Sequence, residues 1–156
     1  MYAATSALND LSLAPELLGL NVLLVQDNPI ELEAIAAHLL DAGFEVTTAR
    51  SICSAIDNAQ LTLPDVVVSG MLIDGLDGFA LCEMMRCIPT LEDTPYLLTT
   101  SRVYGEDRLM ADLMGDVAVV QQSPGFEAEW AALRTLLGWR APSAESRKLP
   151  ASDLRA

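Results

Sequence analysis

Few side chains in this sequence are suited to chemistry, and their types limit what they could do. His38 is the only histidine and Lys148 the only lysine. His38 could act as a general base or a phosphoryl acceptor, but a base needs a positioned partner and a substrate cleft. It lies within the apolar stretch AIAAHLL with no acid predictably beside it, so it reads as a packing residue. Cys53, Cys82 and Cys87 are odd in number and lack a metal-type spacing, which with a single histidine argues against zinc. Reactive thiols need an electropositive site, and the sequence shows no secretory signal. The three cysteines therefore read as reduced core thiols of a cytoplasmic protein. What remains is a set of carboxylates and hydroxyls at the ends of apolar runs: Asp27 after NVLLVQ, Asp74 and Asp77 within MLIDGLDGF, Thr100 closing PYLLTT, and Ser123 before Pro124. Asp77 reads as a helix cap and Asp74 as solvated, because acids favour helix starts. Ser69 reads as satisfying a local backbone bond.

Such groups act together only if the chain brings the run ends to one place. Short apolar runs alternate with helical periods from residue 21 to residue 138. Strands are expected at residues 21–26, 44–49, 65–69, 95–100 and 116–121, and helices at 29–42, 51–60, 78–87, 105–114 and 126–137. Asn28 caps the first helix and Pro29 opens it, and Gly43 stops it. Alternating strands and helices imply parallel pairing with right-handed crossovers. The expected fold is α/β: a doubly wound, five-stranded parallel sheet of order 2-1-3-4-5 with helices on both faces, a flavodoxin-like three-layer sandwich.

The 156 residues suit one domain, and 51% hydrophobic residues supply a core. Domain boundaries are read at a Leu-rich N-terminal extension (1–20), a body (21–139) and a tail (140–156) whose turn formers and mixed charge predict disorder. A net charge of −13 disfavours nucleic acid and membrane partners. No apolar run approaches the ~18 residues of a membrane span.

Open α/β sheets bind ligands outside the carboxyl ends of their strands, where strand order reverses. Gln26, Asp27, Gly70, Thr100 and Ser123 fall there. The segments VLLVQDNPIELEAIAAHLLDAGFEVTTA, PDVVVSGMLIDGLDGFALCEMMR and TPYLLTTS, with the closing SP, resemble the receiver domain of bacterial response regulators. DNP after the first strand and GLDGF before the third helix are the most specific pieces. The resemblance implies a fold that takes a phosphoryl group from a histidine kinase onto an aspartate ending the third strand. Two acids after the first strand and that aspartate hold Mg²⁺. A Ser/Thr after the fourth strand and a Lys after the fifth bind phosphoryl oxygens, and an aromatic in the fifth strand moves. Matched position by position, the phosphoacceptor falls on Gly70 and the first acid on Gln26. Asp27 is the surviving second acid, Thr100 the Ser/Thr, and Ser123 stands for the Lys. The aromatic position falls on Val119 or Val120. One carboxylate in place of three holds Mg²⁺ weakly at best, and positioning and charge stabilisation of phosphoryl transfer are lost with the lysine and the acceptor. The resemblance is therefore to a pseudo-receiver.

With the pocket vestigial, the expected function lies in a surface. Leu32, Ala36 and Leu40 form a second apolar row on the first helix, beside Ile35 and Leu39, with Ile30 and His38 also turned to the sheet. That row is a candidate partner surface, unless residues 1–20 fold back over it. The region of the fourth helix, fifth strand and fifth helix could support a homodimer, with Trp130, Leu133 and Leu137 facing the core. The expectation is a non-enzymatic, cofactor-free cytoplasmic adaptor that contacts a histidine kinase, phosphotransfer protein or output enzyme in a bacterial two-component or related phosphorelay. The alternative is a small-molecule or metal sensor using the crevice.

Overall fold

A computed structural model of the chain describes residues 19–138. The Leu-rich extension and the basic tail fall almost entirely outside the described residues, and with them the expectations that the leader covers helix one and that the tail is disordered.

Five parallel strands form one sheet: β1 (Asn21–Val25), β2 (Glu45–Ala49), β3 (Val66–Gly70), β6 (Tyr96–Thr100) and β7 (Val117–Gln121). Their order is β2-β1-β3-β6-β7, the expected doubly wound arrangement. The central strands are buried along most of their length, as continuous Val/Leu runs require when helices cover both faces. A two-stranded antiparallel hairpin, β4 (Leu72–Ile73) and β5 (Leu76–Asp77), stands in the segment expected to be a loop. Its turn is made by Asp74 and Gly75, both at positive φ.

Five helices connect the strands: α1 (Pro29–Asp41), α2 (Ile52–Thr62), α3 (Gly78–Arg86), α4 (Gly105–Met114) and α5 (Glu127–Leu133), the last continuing as a π-helical turn over Arg134–Gly138. The caps follow the sequence. Asn28 Oδ1 accepts the Ile30 and Glu31 N–H groups at 2.9 and 3.2 Å. Ser51 and Ser54 cap α2 reciprocally, and Asp77 Oδ1 accepts the Phe79 N–H at 2.7 Å.

The core has two layers. Ala55 and Ala59 of α2, Leu81, Cys82 and Met85 of α3 and Ala111 of α4 pack on one face of the sheet. Ile35 and Leu39 of α1 pack with Phe126, Leu133 and Leu137 on the other. Leu32 and Ala36 are half-buried against this second layer, and only Leu40, 57% exposed, is open. The apolar row expected on α1 is thus consumed largely by α1's own packing; Trp130, half-buried, and Val120 belong to the same cluster. Ile30 is exposed rather than turned to the sheet. His38 is also exposed, with its ring stacked on Phe126 at a centroid distance of 4.9 Å.

Arg86 ties three segments on the far side of the sheet. Its Nη1 donates to the Met114 and Gly115 carbonyls at 3.0 and 2.7 Å, and its Nη2 to those of Thr94 and Asp116 at 3.3 Å each. The C-terminus of α4 and the entries to β6 and β7 are held by one guanidinium. Of the cysteines, Cys82 alone is buried, while Cys53 and Cys87 are exposed. The reading of all three as core thiols is corrected here, because Cys53 opens α2 and Cys87 ends α3, where the helix faces turn to solvent.

Candidate functional site

β1, β3 and β6 end side by side, and their carboxyl ends form the floor of an open cleft of about 360 Å³. Four of the five residues assigned to it from sequence line it: Gln26, Asp27, Gly70 and Thr100. Ser123 does not. Its Oγ donates to Glu129 Oε1 at 2.7 Å and accepts the Ala128 N–H at 3.1 Å, and its own N–H reaches Glu129 Oε2 at 3.2 Å. Glu129 is only 2% exposed, so Ser123 is held by a buried carboxylate at the start of α5 and turned away from the cleft.

Gln26 lies against Gly70. A Cβ built on Gly70 would stand 3.0 Å from Gln26 Nε2. Gln26 is 5% exposed, and its Oε1 accepts the Asn28 N–H at 3.3 Å. Because a backbone N–H can only donate, this contact fixes which end of the amide is oxygen, and Nε2 is the end directed at Gly70.

Asp27 joins two loops. Its Oδ2 accepts the N–H of Asp74 at 3.2 Å, and its carbonyl accepts from Arg50 Nη2 at 3.3 Å. Asp74 in turn accepts the Ile52 N–H at 3.1 Å. Asp74, expected to be merely solvated, thus links the hairpin both to the β1 end and to the first turn of α2. The expected local roles of Ser69 and Asp77 agree with the contacts: Ser69 Oγ donates to the Gly70 carbonyl at 2.8 Å, and Asp77 caps α3.

Other cleft residues were missed from sequence. Glu31 and Gln122 line the cleft, and Gln122 Nε2 donates to Glu31 Oε1 at 3.0 Å. Glu31 is one helical turn beyond Asp27, a spacing that places both acids at the same helix start. That signal was available; the pairing with Gln122 was not. Thr100 Oγ1 donates to the Arg102 carbonyl at 3.1 Å and accepts its N–H at 3.3 Å, so it turns the loop after β6.

The Mg²⁺ implied by the fold family does not fit these donors. Asp27 supplies one carboxylate, Gly70 supplies no side chain, and Gln26 points N–H donors where an oxygen ligand is needed. Among the described residues no group of three or more His, Cys, Asp or Glu converges on a metal-sized site. Val119 is buried in the sheet, and Val120 is half-buried against the second core layer.

Burial pushes the Cys82 thiol up to about 11, with nearby Arg86 opposing and Glu83 adding to the shift. Burial likewise raises the Tyr96 phenol. Both groups belong to the core beneath α3, not to the cleft. Among the described residues no helix is long and apolar enough to cross a membrane.

Residues 22–119 match the response regulator receiver domain as a family. The chain is 31% identical over 140 residues to the transcriptional regulatory protein TcrA of Mycobacterium tuberculosis, covering 88% of this chain and 53% of that one. It is 30% identical over 88 residues to the response regulator PleD of Caulobacter vibrioides, covering 56% of this chain and 19% of that one. It therefore spans about half or less of the length of these relatives. The chemotaxis protein CheY4 of Vibrio cholerae superposes with a TM-score of 0.70 at 24% identity, covering 76% of this chain and 98% of that one, which establishes the shared fold.

Proposed function

From the premise that this chain belongs to the response regulator receiver domain family of two-component signalling, we propose that it is a phosphorylation-independent adaptor working by protein–protein contact. The observation that carries this reading is Gly70 beneath the Gln26 amide. At the position matching the family's phosphoacceptor there is no side chain to phosphorylate, and the neighbouring side chain presents N–H donors to that point. Ser123, at the lysine position, is bound to Glu129 and does not reach the cleft. Of the groups that accept and stabilise a transferred phosphoryl, Thr100 remains at the cleft, and the acceptor and the lysine do not.

A contact function also has surface support. Helix α4 exposes Leu109, Met110 and Leu113 at 59, 44 and 75%, next to Tyr104. Large apolar side chains grouped on one short helix mark a protein-contacting face more often than a solvated one. The partner of this reading is a histidine kinase, phosphotransfer protein or output enzyme of a bacterial two-component or related pathway, met in the cytoplasm. A second reading, a sensor binding a small molecule in the cleft, is favoured by the Gln26 amide group facing it.

The test is incubation with acetyl phosphate and Mg²⁺ followed by intact-mass measurement. No phosphoryl adduct is expected at any time point. An adduct of one phosphoryl group, mapped to any acid of the cleft or hairpin, sinks the phosphorylation-independent reading.

A further inference from the structure

Loss of phosphoryl chemistry does not account for one property of the cleft. Gln26 is 5% exposed and lines it, with Oε1 committed to the Asn28 N–H. Its Nε2, directed at Gly70, meets no acceptor among the described residues. That N–H₂ opens on the cleft, where it offers a donor to whatever occupies it. The adjoining acids have the opposite surplus. Asp27 uses Oδ2 on the Asp74 N–H, and Glu31 uses Oε1 on Gln122, which leaves one oxygen of each carboxylate without a partner among the described residues. No lysine, arginine or histidine lines the cleft. Its flank is apolar, with Leu72 63% exposed beside Met71.

These features select a ligand by chemistry. An anion such as phosphate or a carboxylate would meet two acids and no cation among the lining residues. A metal ion would meet N–H donors in place of an oxygen ligand. A group with donors alone would leave Gln26 unsatisfied. We propose that the cleft binds a neutral small molecule through a carboxamide-type edge: its carbonyl oxygen accepts from Gln26 Nε2, its N–H donates to the Glu31 carboxylate, and its apolar part lies on Met71 and Leu72. The absence of a side chain at residue 70 leaves room for that carbonyl. This inference does not depend on the adaptor reading, which the acetyl phosphate experiment tests separately.

Three probes of one shape test it: benzamide carries acceptor and donors without charge, benzoate only acceptors, and benzamidine only donors. Each is titrated into the ¹⁵N-labelled full-length chain at constant ionic strength, following the Gln26 side-chain amide and the Gly70 backbone amide by NMR. Benzamide is expected to give saturable shifts at both, and benzoate and benzamidine to bind at least about tenfold more weakly. In Gln26→Leu the benzamide response at Gly70 is expected to vanish. In Glu31→Gln, which leaves Gln26 untouched, benzamide should weaken several-fold and the preference over benzoate should narrow. Absence of saturation by benzamide overturns the proposal, as does equal binding of benzoate or benzamidine. So does an unchanged response in either variant; if Gln26→Leu does not fold, Glu31→Gln decides.

Discussion

Gly70 and Gly78 stand on either side of the same hairpin, one ending β3 and the other opening α3. A Cβ on Gly78 would collide with the Leu98 side chain and lie 2.7 Å from the carbonyl oxygen of Gly70. The Gly78 N–H also closes the hairpin on the Met71 carbonyl at 2.7 Å. Backbone occupies the space on that side, and backbone cannot step aside. A Cβ on Gly70 would meet only the tip of Gln26, a side chain with rotatable bonds, at 3.0 Å. Packing therefore demands glycine at 78 and merely permits it at 70. The difference teaches that packing requires the motif glycine, whereas the glycine at the strand end answers to no such demand of the fold.

The sharpest way to break this comparison is Gly78→Ala. Forced displacement of α3 from β6 should cost about 3 kcal/mol, seen as a melting temperature lower by about 10 °C; an unchanged melting curve would remove the contrast. Next comes the junction between β7 and α5. Glu129→Ala strips the buried acceptor from the Ser123 N–H and Oγ and should cost about 2 kcal/mol in chemical denaturation. A negligible loss would mean that the β7–α5 junction is not held by that carboxylate.

The close approach of α3 also has a thiol readout. Cys82 is fully buried and its thiol is pushed up to about 11 by desolvation, while Cys53 and Cys87 are exposed. At about pH 8, two thiols should react rapidly with a disulfide reagent in the native protein and the third only on unfolding; in Gly78→Ala the third should become reactive. Because the folded value lies above the ordinary 9.0, the unfolded chain releases this proton first. The stability that Cys82 contributes is full below about pH 9 and declines as pH rises toward 11, and Cys82→Ala should flatten that part of the curve. The smallest effect is expected for Gly70→Ala, within about 0.5 kcal/mol of the parent. Gly70→Asp alone should remain unphosphorylated by acetyl phosphate, since Gln26 and Ser123 are unchanged; an adduct there would show that the acceptor was the only missing group.

Much of this was legible along the chain. The apolar runs, the Asn28, Ser51 and Asp77 caps and the parallel rule lead to the sheet order without coordinates. The residues at 26, 70 and 123 were picked out by matching motifs by position. The hairpin was missed because two-residue strands have no periodicity to detect. The half-burial of Leu32 and Ala36 was not legible because helical spacing reports which side chains share a face, not how wide a neighbour covers it. Leu32 and Ala36 pack against a cluster that includes Trp130 and Val120, far along the sequence.

Sequence by itself determined the element order, the fold class and the glycine that ends β3, since these depend on local pattern and residue type. Only the tertiary structure decided that the Gln26 amide turns its N–H₂ toward Gly70, that Glu31 meets Gln122, and that Ser123 belongs to Glu129 rather than to the cleft. Those outcomes are hydrogen-bond choices among several polar partners, and such choices are settled by which donor and acceptor the folded backbone brings within about 3 Å of each other.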